Sequence, residues 1–173
     1  MSSGLTFILG GAASGKSEFA ERLAVATGRR LHYLASAQPF DAEMHHKVKV
    51  HRARRGPEWT THEAPLEPGP VLETLDHNCV CLFDCATFWL SNHLMEGGDL
   101  EAAQSRLLDA LTGCPARVIV VSNEVGQGIV PADATTRAFR EAQGRLNIAL
   151  AARADLAVQV VAGLPNVLKG CLS

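Results

Sequence analysis

The feature that most constrains this chain is a glycine-rich segment near its start, Gly10-Gly11-Ala12-Ala13-Ser14-Gly15-Lys16-Ser17. The apolar run before it, residues 5–9, is typical of a buried strand, and residues 18–26 have the composition of a helix. A strand, Gly-x-x-x-x-Gly-Lys-Ser and a helix, in that order, form the nucleotide-binding P-loop in its expected context. The motif therefore predicts that the chain binds a nucleoside triphosphate.

Each part of this motif has a physical role in holding phosphate. Gly10 and Gly15 permit the backbone angles with which the loop presents its N–H groups to the phosphates. The N-terminal end of the helix adds partial positive charge. Lys16 is expected to reach the terminal phosphates, and the hydroxyl of Ser17 to ligate Mg²⁺. A chance Lys-Ser pair in a glycine-rich turn is the alternative, and the fit of both flanking segments disfavours it.

Asp84 is the second candidate metal ligand. It follows the apolar residues Val80-Cys81-Leu82-Phe83, and four apolar residues followed by Asp have the form of a Walker B strand. The carboxylate of such a strand meets Mg²⁺, usually through water. The alternative is that Asp84 caps the next helix. Because the P-loop already requires an acidic partner, the magnesium role is favoured.

Apolar runs separated by helical segments predict an α/β fold. We predict a single P-loop NTPase-like domain over residues 1–173, with a mostly parallel sheet flanked by helices. The predicted strands are residues 5–9, 31–36, 80–84, 118–121 and, as the last one, 156–161, with 59–63 as a further short candidate. The predicted helices are 18–26, 42–54, 71–77, 88–95, 100–111 and 135–153. Ligands of such sheets bind at the carboxyl ends of the strands, where the P-loop, Ser36, Asp84 and Asn123-Glu124 are all expected.

Charge and composition narrow the class of protein. The net charge of −2 argues against a protein that coats nucleic acid, while residues 45–55 hold five Lys/Arg and three of the seven His. So local a basic segment suits a small polyanion. No signal peptide or apolar run of about 20 residues is apparent. The five cysteines lack zinc-finger spacing and predict reduced, mostly buried thiols in a cytoplasmic protein, with zinc as the disfavoured alternative.

Five segments together, in their order and spacing, carry a more specific pattern. They are residues 10–17; Tyr33-Leu34-Ala35-Ser36; Asp41-Ala42-Glu43-Met44 with Lys47-Val48, His51, Arg55 and Trp59; Asp84-Cys85-Ala86-Thr87 with Trp89 and Asn92; and residues 122–131 with Arg140, Gly144, Arg145 and Asn147. On these segments the whole chain resembles the bifunctional adenosylcobinamide kinase / adenosylcobinamide-phosphate guanylyltransferase family of cobalamin biosynthesis. One departure stands in the P-loop, where Ala13 replaces an arginine of the family motif.

The resemblance implies two reactions at one nucleotide site. A nucleoside triphosphate first phosphorylates adenosylcobinamide, and GTP then transfers GMP to adenosylcobinamide phosphate with release of pyrophosphate. The implied cofactors are GTP, with ATP as an alternative for the kinase step, and Mg²⁺; the implied assembly is a homotrimer with sites near subunit boundaries. The nucleotide-binding positions beyond the P-loop are Leu34, Ala35, Ser36, Arg52, Ala53, Arg54, Arg55, Glu63 and Asp84. The catalytic positions are Lys16 and His51, the latter as the guanylylated histidine.

The chemistry of histidine agrees with that role for His51. Neutral imidazole can attack the α-phosphorus, and an ordinary histidine pKa near 6.5 makes that form abundant at neutral pH. The resulting phosphoramidate is reactive enough to pass GMP onward. The neighbouring Lys and Arg residues would neutralise phosphate charge. On spacing alone, a histidine packed on an amphipathic helix is the better interpretation, and the surrounding signature reverses that preference.

Three alternatives remain open on the sequence. The first is a P-loop small-molecule kinase without the guanylyl step, which would tolerate loss of His51. The second is a GTP-switched binding protein, disfavoured because no Asn-Lys-x-Asp motif is present. The third is a corrinoid or nucleotide sensor that has lost catalysis, which the intact Lys16, Ser17 and Asp84 disfavour.

Overall fold

The apolar runs of the sequence build the parallel strands of a seven-stranded sheet. The computed structural model describes residues 4–38, 49–50, 53 and 55–172. Its strands are β1 Leu5–Gly10, β2 Arg30–Ala35, β3 Trp59–Glu63, β4 Cys79–Asp84, β5 Arg117–Asn123, β6 Leu156–Val161 and β7 Leu164–Lys169. Its helices are α1 Lys16–Ala26, α2 Gly69–Glu73, α3 Ala86–Glu96, α4 Leu100–Gly113 and α5 Ala134–Arg153. Residues 49, 50 and 53 are also helical, and the rest of the predicted helix 42–54 lies outside the described residues.

The strand order is β3-β2-β4-β5-β1-β6-β7. Every neighbouring pair is parallel except β6 and β7, which are antiparallel. The predicted α/β fold with a mostly parallel sheet is therefore confirmed. Strand β1, which carries the P-loop, lies inside the sheet between β5 and β6, so the motif starts from a fully paired strand.

Two predicted boundaries were wrong. The strand at 156–161 is not the last, because the chain turns at Ala162 and Gly163, with φ of 52° and 77°, into the antiparallel β7. All six residues of β7 are exposed, so no buried apolar pattern marks this strand in the sequence. The short helix predicted at 71–77 is α2 at Gly69–Glu73 instead. Pro70 lies in its first turn, where the missing N–H is not needed.

The two faces of the sheet bury separate apolar clusters. One face packs α2 to α5 over residues such as Phe83, Trp89, Leu107 and Leu146. The opposite face packs α1, through Ala20 and Ala24, over Ile8, Leu82, Val121 and their neighbours. Small residues on α1 let this helix lie close to the sheet. The P-loop at its start is therefore held against the carboxyl ends of the strands.

The cysteines are free thiols, and four of the five are buried, as predicted. Burial raises the pKa of Cys81 above its usual range and that of Cys85 to about 12, so both side chains are neutral at physiological pH. Cys171 alone is exposed. Among the helices that the structure describes, none is long and apolar enough to cross a membrane.

Substitutions on the two faces of α5 test which face of this helix packs against the sheet. Leu146 is fully buried, whereas Ile148 on the same helix is 72% exposed. Leu146→Ala should lower the free energy of unfolding by about 2–5 kcal/mol, because it leaves a cavity. Ile148→Ala should change it by less than about 0.5 kcal/mol. Urea unfolding followed by circular dichroism measures both, and equal losses would show that α5 faces the sheet differently.

Candidate nucleotide-binding site

The P-loop, residues 10–17, connects β1 to α1 and has no space for a side chain at Gly10. A Cβ at Gly10 would meet Ser14 Oγ and would lie 2.8 Å from the carbonyl oxygen of Val160. Gly15 has φ of 88°, in the region that favours glycine, and Ala13 is also left-handed at 53°. The two glycines of the motif are thus required by the shape of the loop itself.

Neighbouring backbone holds the loop from two sides. The N–H of Glu124, just after β5, donates to the Gly10 carbonyl at 3.0 Å. The N–H of Gly163, in the β6–β7 turn, donates to the Ser14 carbonyl at 2.8 Å. The turn into β7, which the sequence did not reveal, therefore braces the P-loop.

The polar groups of the loop fit an anionic ligand. Lys16 Nζ donates to the Gly11 carbonyl at 3.1 Å, so the ammonium lies across the loop. Burial lowers the pKa of Lys16, and the nearby Asp84 carboxylate opposes that shift. Ser14 Oγ is buried and has no hydrogen-bond partner among the described residues. A cradle of this kind, with a partly buried cation and an unpaired hydroxyl, suits phosphate.

Asp84 ends β4, and its side chain is held by a tyrosine. Tyr33 OH donates to Asp84 Oδ2 at 3.0 Å. Burial, together with the adjacent Asp84 charge, raises the pKa of Tyr33 well above its usual value, so this hydroxyl remains a donor. The cap of α3 is Cys85, whose Sγ accepts from the Phe88 N–H at 3.5 Å. The alternative of Asp84 as a helix cap is therefore wrong, and its carboxylate is available to a ligand.

Arg55 extends this arrangement on the side of α1. Its guanidinium carbon lies 3.2 Å from the centre of the Tyr33 ring, and Nη1 is 3.9 Å from Glu21 Oε1. The side chain is only 5% exposed, yet Nε and Nη1 have no hydrogen-bond partner among the described residues. Arg55, Tyr33 and Asp84 thus form one stacked and hydrogen-bonded series. No role was predicted for Tyr33, although it is the only tyrosine in the chain.

The sheet register places several predicted site residues along one edge. Ala35 pairs with Glu63 on one side and with Asp84 on the other, and Gly10 pairs with Asn123. The carboxyl ends of neighbouring parallel strands lie about 5 Å apart. Glu63, Ala35, Asp84, Asn123 and the P-loop therefore share a rim, with Glu63 exposed at its outer end.

Leu34 and Ser36 lie near this rim but are fully buried. Leu34 belongs to the apolar core. Ser36 Oγ donates to the Cys85 carbonyl at 2.6 Å and accepts from the Cys85 N–H at 2.8 Å. Asn92 Nδ2 in turn donates to the Ser36 carbonyl at 2.9 Å. The side chain of Ser36 therefore joins the ends of β2 and β4 and is fully engaged within the protein.

The structure describes some of the remaining predicted site residues and leaves others outside the described part of the chain. Ser17 is partly exposed at the start of α1, and Ala12 and Ala53 are exposed. His51, Arg52 and Arg54 lie outside the described residues. The structure thus brings together the P-loop, Asp84, Arg55, Ala35 and Glu63, and their roles toward a ligand stay predictions.

A buried polar network behind the rim was not predicted either. Gln143 Nε2, on α5, donates to Ser122 Oγ and to Asn147 Oδ1, both at 2.9 Å. Asn147 Nδ2 donates to the Asn123 carbonyl. The backbone N–H of Asn123 in turn donates to Thr87 Oγ1 at 2.9 Å. Polar residues on the inward face of α5 were the signal in the sequence. The network fixes the end of β5 beside the P-loop.

A parallel sheet with a P-loop after an interior strand and a carboxylate at the end of a nearby strand defines a P-loop nucleotide-binding protein. Two solved structures share the fold. The RadB recombinase has a TM-score of 0.53 and 19% identity, and the match covers 91% of this chain and 74% of that one. The flagellar accessory protein FlaH from Methanocaldococcus jannaschii has a TM-score of 0.52 and 13% identity, and the match covers 98% of this chain and 79% of that one. At these identities the likeness concerns the fold alone.

The family follows from closer relatives. The family model for cobinamide kinase / cobinamide phosphate guanyltransferase matches residues 6–168, and the chain belongs to this family. The bifunctional adenosylcobalamin biosynthesis protein CobP of Pseudomonas aeruginosa is 43% identical over 166 residues, covering 94% of this chain and 96% of its own. The corresponding CobU protein of Escherichia coli is 36% identical over 180 residues, covering 92% and 97%. The resemblance stated from the motifs is confirmed.

The tight packing of Gly10 predicts a difference between two adjacent glycines. In the protein without ligand, Gly10→Ala should lower stability by about 1–3 kcal/mol, because the new methyl group meets a backbone carbonyl. Gly11→Ala is the matched control, since a Cβ there meets nothing within 4 Å. Thermal unfolding without nucleotide measures both. Equal stability of the two variants would contradict the packing of the P-loop against β6.

Proposed function

We propose that the chain phosphorylates adenosylcobinamide with a nucleoside triphosphate and then transfers GMP from GTP to adenosylcobinamide phosphate. The two nucleotides bind at the same P-loop, one at a time. The observation that carries the proposal is the intact P-loop beside Asp84 in a chain of this family. Both reactions begin by binding a triphosphate, so one cradle serves them. GTP is the donor for the second reaction, and ATP is the alternative donor for the first.

The P-loop supplies the binding and the charge for phosphoryl transfer. Its N–H groups and the start of α1 hold the phosphates, and Lys16 neutralises charge that develops on the leaving group. The lysine is already partly desolvated, which strengthens its interaction with phosphate. Ser14 Oγ adds a donor that has no partner among the described residues. Phosphoryl transfer needs mainly positioning and electrostatics, and these residues provide both.

Ser17 and Asp84 are the residues that would hold Mg²⁺. Their fit rests on hard oxygen donors beside the P-loop and on a carboxylate fixed by the Tyr33 hydroxyl. When bound, the ion neutralises charge on the phosphate oxygens. Tyr33 orients Asp84, and the Arg55 guanidinium stacked on the tyrosine ring fixes the tyrosine in turn. Donors of Arg55 without partners among the described residues support its predicted contact with nucleotide.

His51 is proposed as the nucleophile of GMP transfer. Its neutral imidazole attacks the α-phosphorus of GTP, and pyrophosphate leaves with the bonding electrons. The phosphate oxygen of the acceptor then attacks the same phosphorus and releases the histidine. Arg52, Ala53, Arg54 and Glu63 are proposed nucleotide contacts in this step, together with Leu34, Ala35 and Ser36. Because Leu34 and Ser36 are fully buried, Ala35 is the accessible member of that segment.

Assembly and location complete the proposal. We propose that residues 1–173 form one domain, that the protein is a cytoplasmic homotrimer, and that it acts on small-molecule substrates. The family resemblance supports the trimer. Exposed apolar side chains near the site, Ile129 at 96% and Val130 at 69%, also support an assembly that covers them.

Covalent labelling tests the function. The purified protein is incubated with Mg²⁺ and α-³²P-labelled GTP without acceptor, and protein-bound label is measured after denaturation. We expect acid-labile, alkali-stable label that adenosylcobinamide phosphate discharges. A protein that phosphorylates adenosylcobinamide but never takes up label would be a kinase alone. Failure of both reactions would contradict the function itself.

Two substitutions distinguish the role of His51 from that of the P-loop. His51→Ala should abolish label and GMP transfer while the kinase rate is unchanged, because the histidine acts only at the α-phosphorus. Lys16→Ala should slow both reactions by about 10²–10³-fold, since one donor to the developing charge is lost. His77→Ala, at an exposed histidine just before the amino end of β4, is the matched control. Loss of the kinase reaction in the folded His51→Ala variant would place the histidine in phosphate binding instead.

A further inference from the structure

An open cleft borders the P-loop beside the end of β6. Its volume is about 460 Å³, and its walls are the outer residues of the P-loop, the segment after β5 and the end of β6. The polar side chains in these walls are Ser14, Glu124, Gln127 and Gln159. The cleft therefore brings a carboxylate and two amides to the same space as residues 11–14 of the P-loop.

Glu124 is placed by the topology between the two functional strands. It directly follows β5, which lies between β1 with the P-loop and β4 with Asp84. Its N–H donates to the Gly10 carbonyl at 3.0 Å, so the residue begins within a hydrogen bond of the P-loop backbone. Glu124 as a whole is partly buried, and its carboxylate accepts from the Gly126 N–H. Among the described residues, no basic side chain pairs with it.

The backbone that carries Glu124 is fixed on both sides. Before it, the Asn123 N–H donates to Thr87 Oγ1, and the Asn123 carbonyl accepts from Asn147. After it, Arg140 donates to the carbonyls of Gly126, Gly128 and Ile129. Catalytic groups held in this way lose little entropy when the substrate arrives. These hydrogen bonds fix the irregular segment that follows β5, and they therefore hold the Glu124 carboxylate in one position.

We propose that Glu124 is the base that accepts the proton of the acceptor alcohol in the kinase step, and that the cleft holds this end of the acceptor. The proposal rests on the proposed kinase function. The alcohol oxygen forms the new bond to the γ-phosphorus, and the bond from that phosphorus to the β–γ bridging oxygen breaks. The nucleoside diphosphate leaves with the electron pair, and the hydroxyl proton passes to the Glu124 carboxylate.

The same carboxylate has no such task in GMP transfer. The acceptor there is a phosphate group, whose second pKa is near 6, so its oxygens are already ionised at neutral pH. Nothing has to remove a proton from the acceptor before it attacks. If Glu124 is the base for the alcohol, its loss should slow the kinase reaction and leave GMP transfer intact. Loss of His51 should do the reverse.

Glu124→Gln tests this prediction, because an amide keeps the shape and can still accept from the Gly126 N–H. The kinase rate with adenosylcobinamide should fall by about 10²–10⁴-fold, the range for loss of a general base. GMP transfer to supplied adenosylcobinamide phosphate and the affinity for GTP should be unchanged. Glu141→Gln, at an exposed carboxylate paired with Arg145, is the control for removal of a charge.

The other outcomes overturn the proposal in distinguishable ways. A kinase rate near that of the unmodified protein shows that Glu124 is not the base. Parallel loss of both reactions with weakened GTP binding shows that it acts through the P-loop. If the unmodified protein does not phosphorylate adenosylcobinamide at all, the proposed function fails, and this proposal fails with it.

Discussion

The close packing of the P-loop against neighbouring backbone is the constraint on which the site depends. Gly10 lies between Ser14 Oγ and the Val160 carbonyl with no space for a methyl group. Hydrogen bonds from Glu124 and Gly163 hold the loop at its two ends. An anion site made of backbone N–H groups works only if those groups are already oriented, because ordering them on binding would cost conformational entropy. The sheet supplies that order.

Two cationic side chains near this loop, those of Lys16 and Arg55, are removed from water to different extents. Lys16 is partly desolvated near Asp84, and Arg55 is almost completely buried over the Tyr33 ring. Removing cations from water costs free energy unless partners compensate. Glu21 and the tyrosine ring offset part of this cost for Arg55. Arg55 Nε and Nη1 have no hydrogen-bond partner among the described residues, so these donors would gain most from an anionic ligand.

Most of the sheet could be predicted because apolar runs mark buried parallel strands. Strands β1, β2, β4, β5 and β6 each bury such a run, and the P-loop motif identified their common rim. Strand β7 could not be predicted, because all its residues are exposed and no buried apolar run marks it. The turn that leads into it braces the P-loop through Gly163. Sequence motifs could not predict that contact, since any residue except proline can donate a backbone N–H.

The location of the candidate site could be predicted from residue types that are tied to a chemical task, while the roles of these residues toward a ligand stay predictions. Lys16, Ser17 and Asp84 belong to that group, and the structure places them in one region. Tyr33 and Gln143 were missed because they act on other protein groups, and sequence spacing does not report which carboxylate or amide a side chain will meet. Such supporting residues become visible only when the strands are in register.

Equilibrium binding of nucleotides tests most directly whether one P-loop serves both reactions. Non-hydrolysable analogues of ATP and GTP are titrated in the presence of Mg²⁺, singly and in competition. A single shared site predicts one nucleotide bound per chain, with each analogue displacing the other. Simultaneous binding of both analogues to the same chain would contradict it and would require a second nucleotide site.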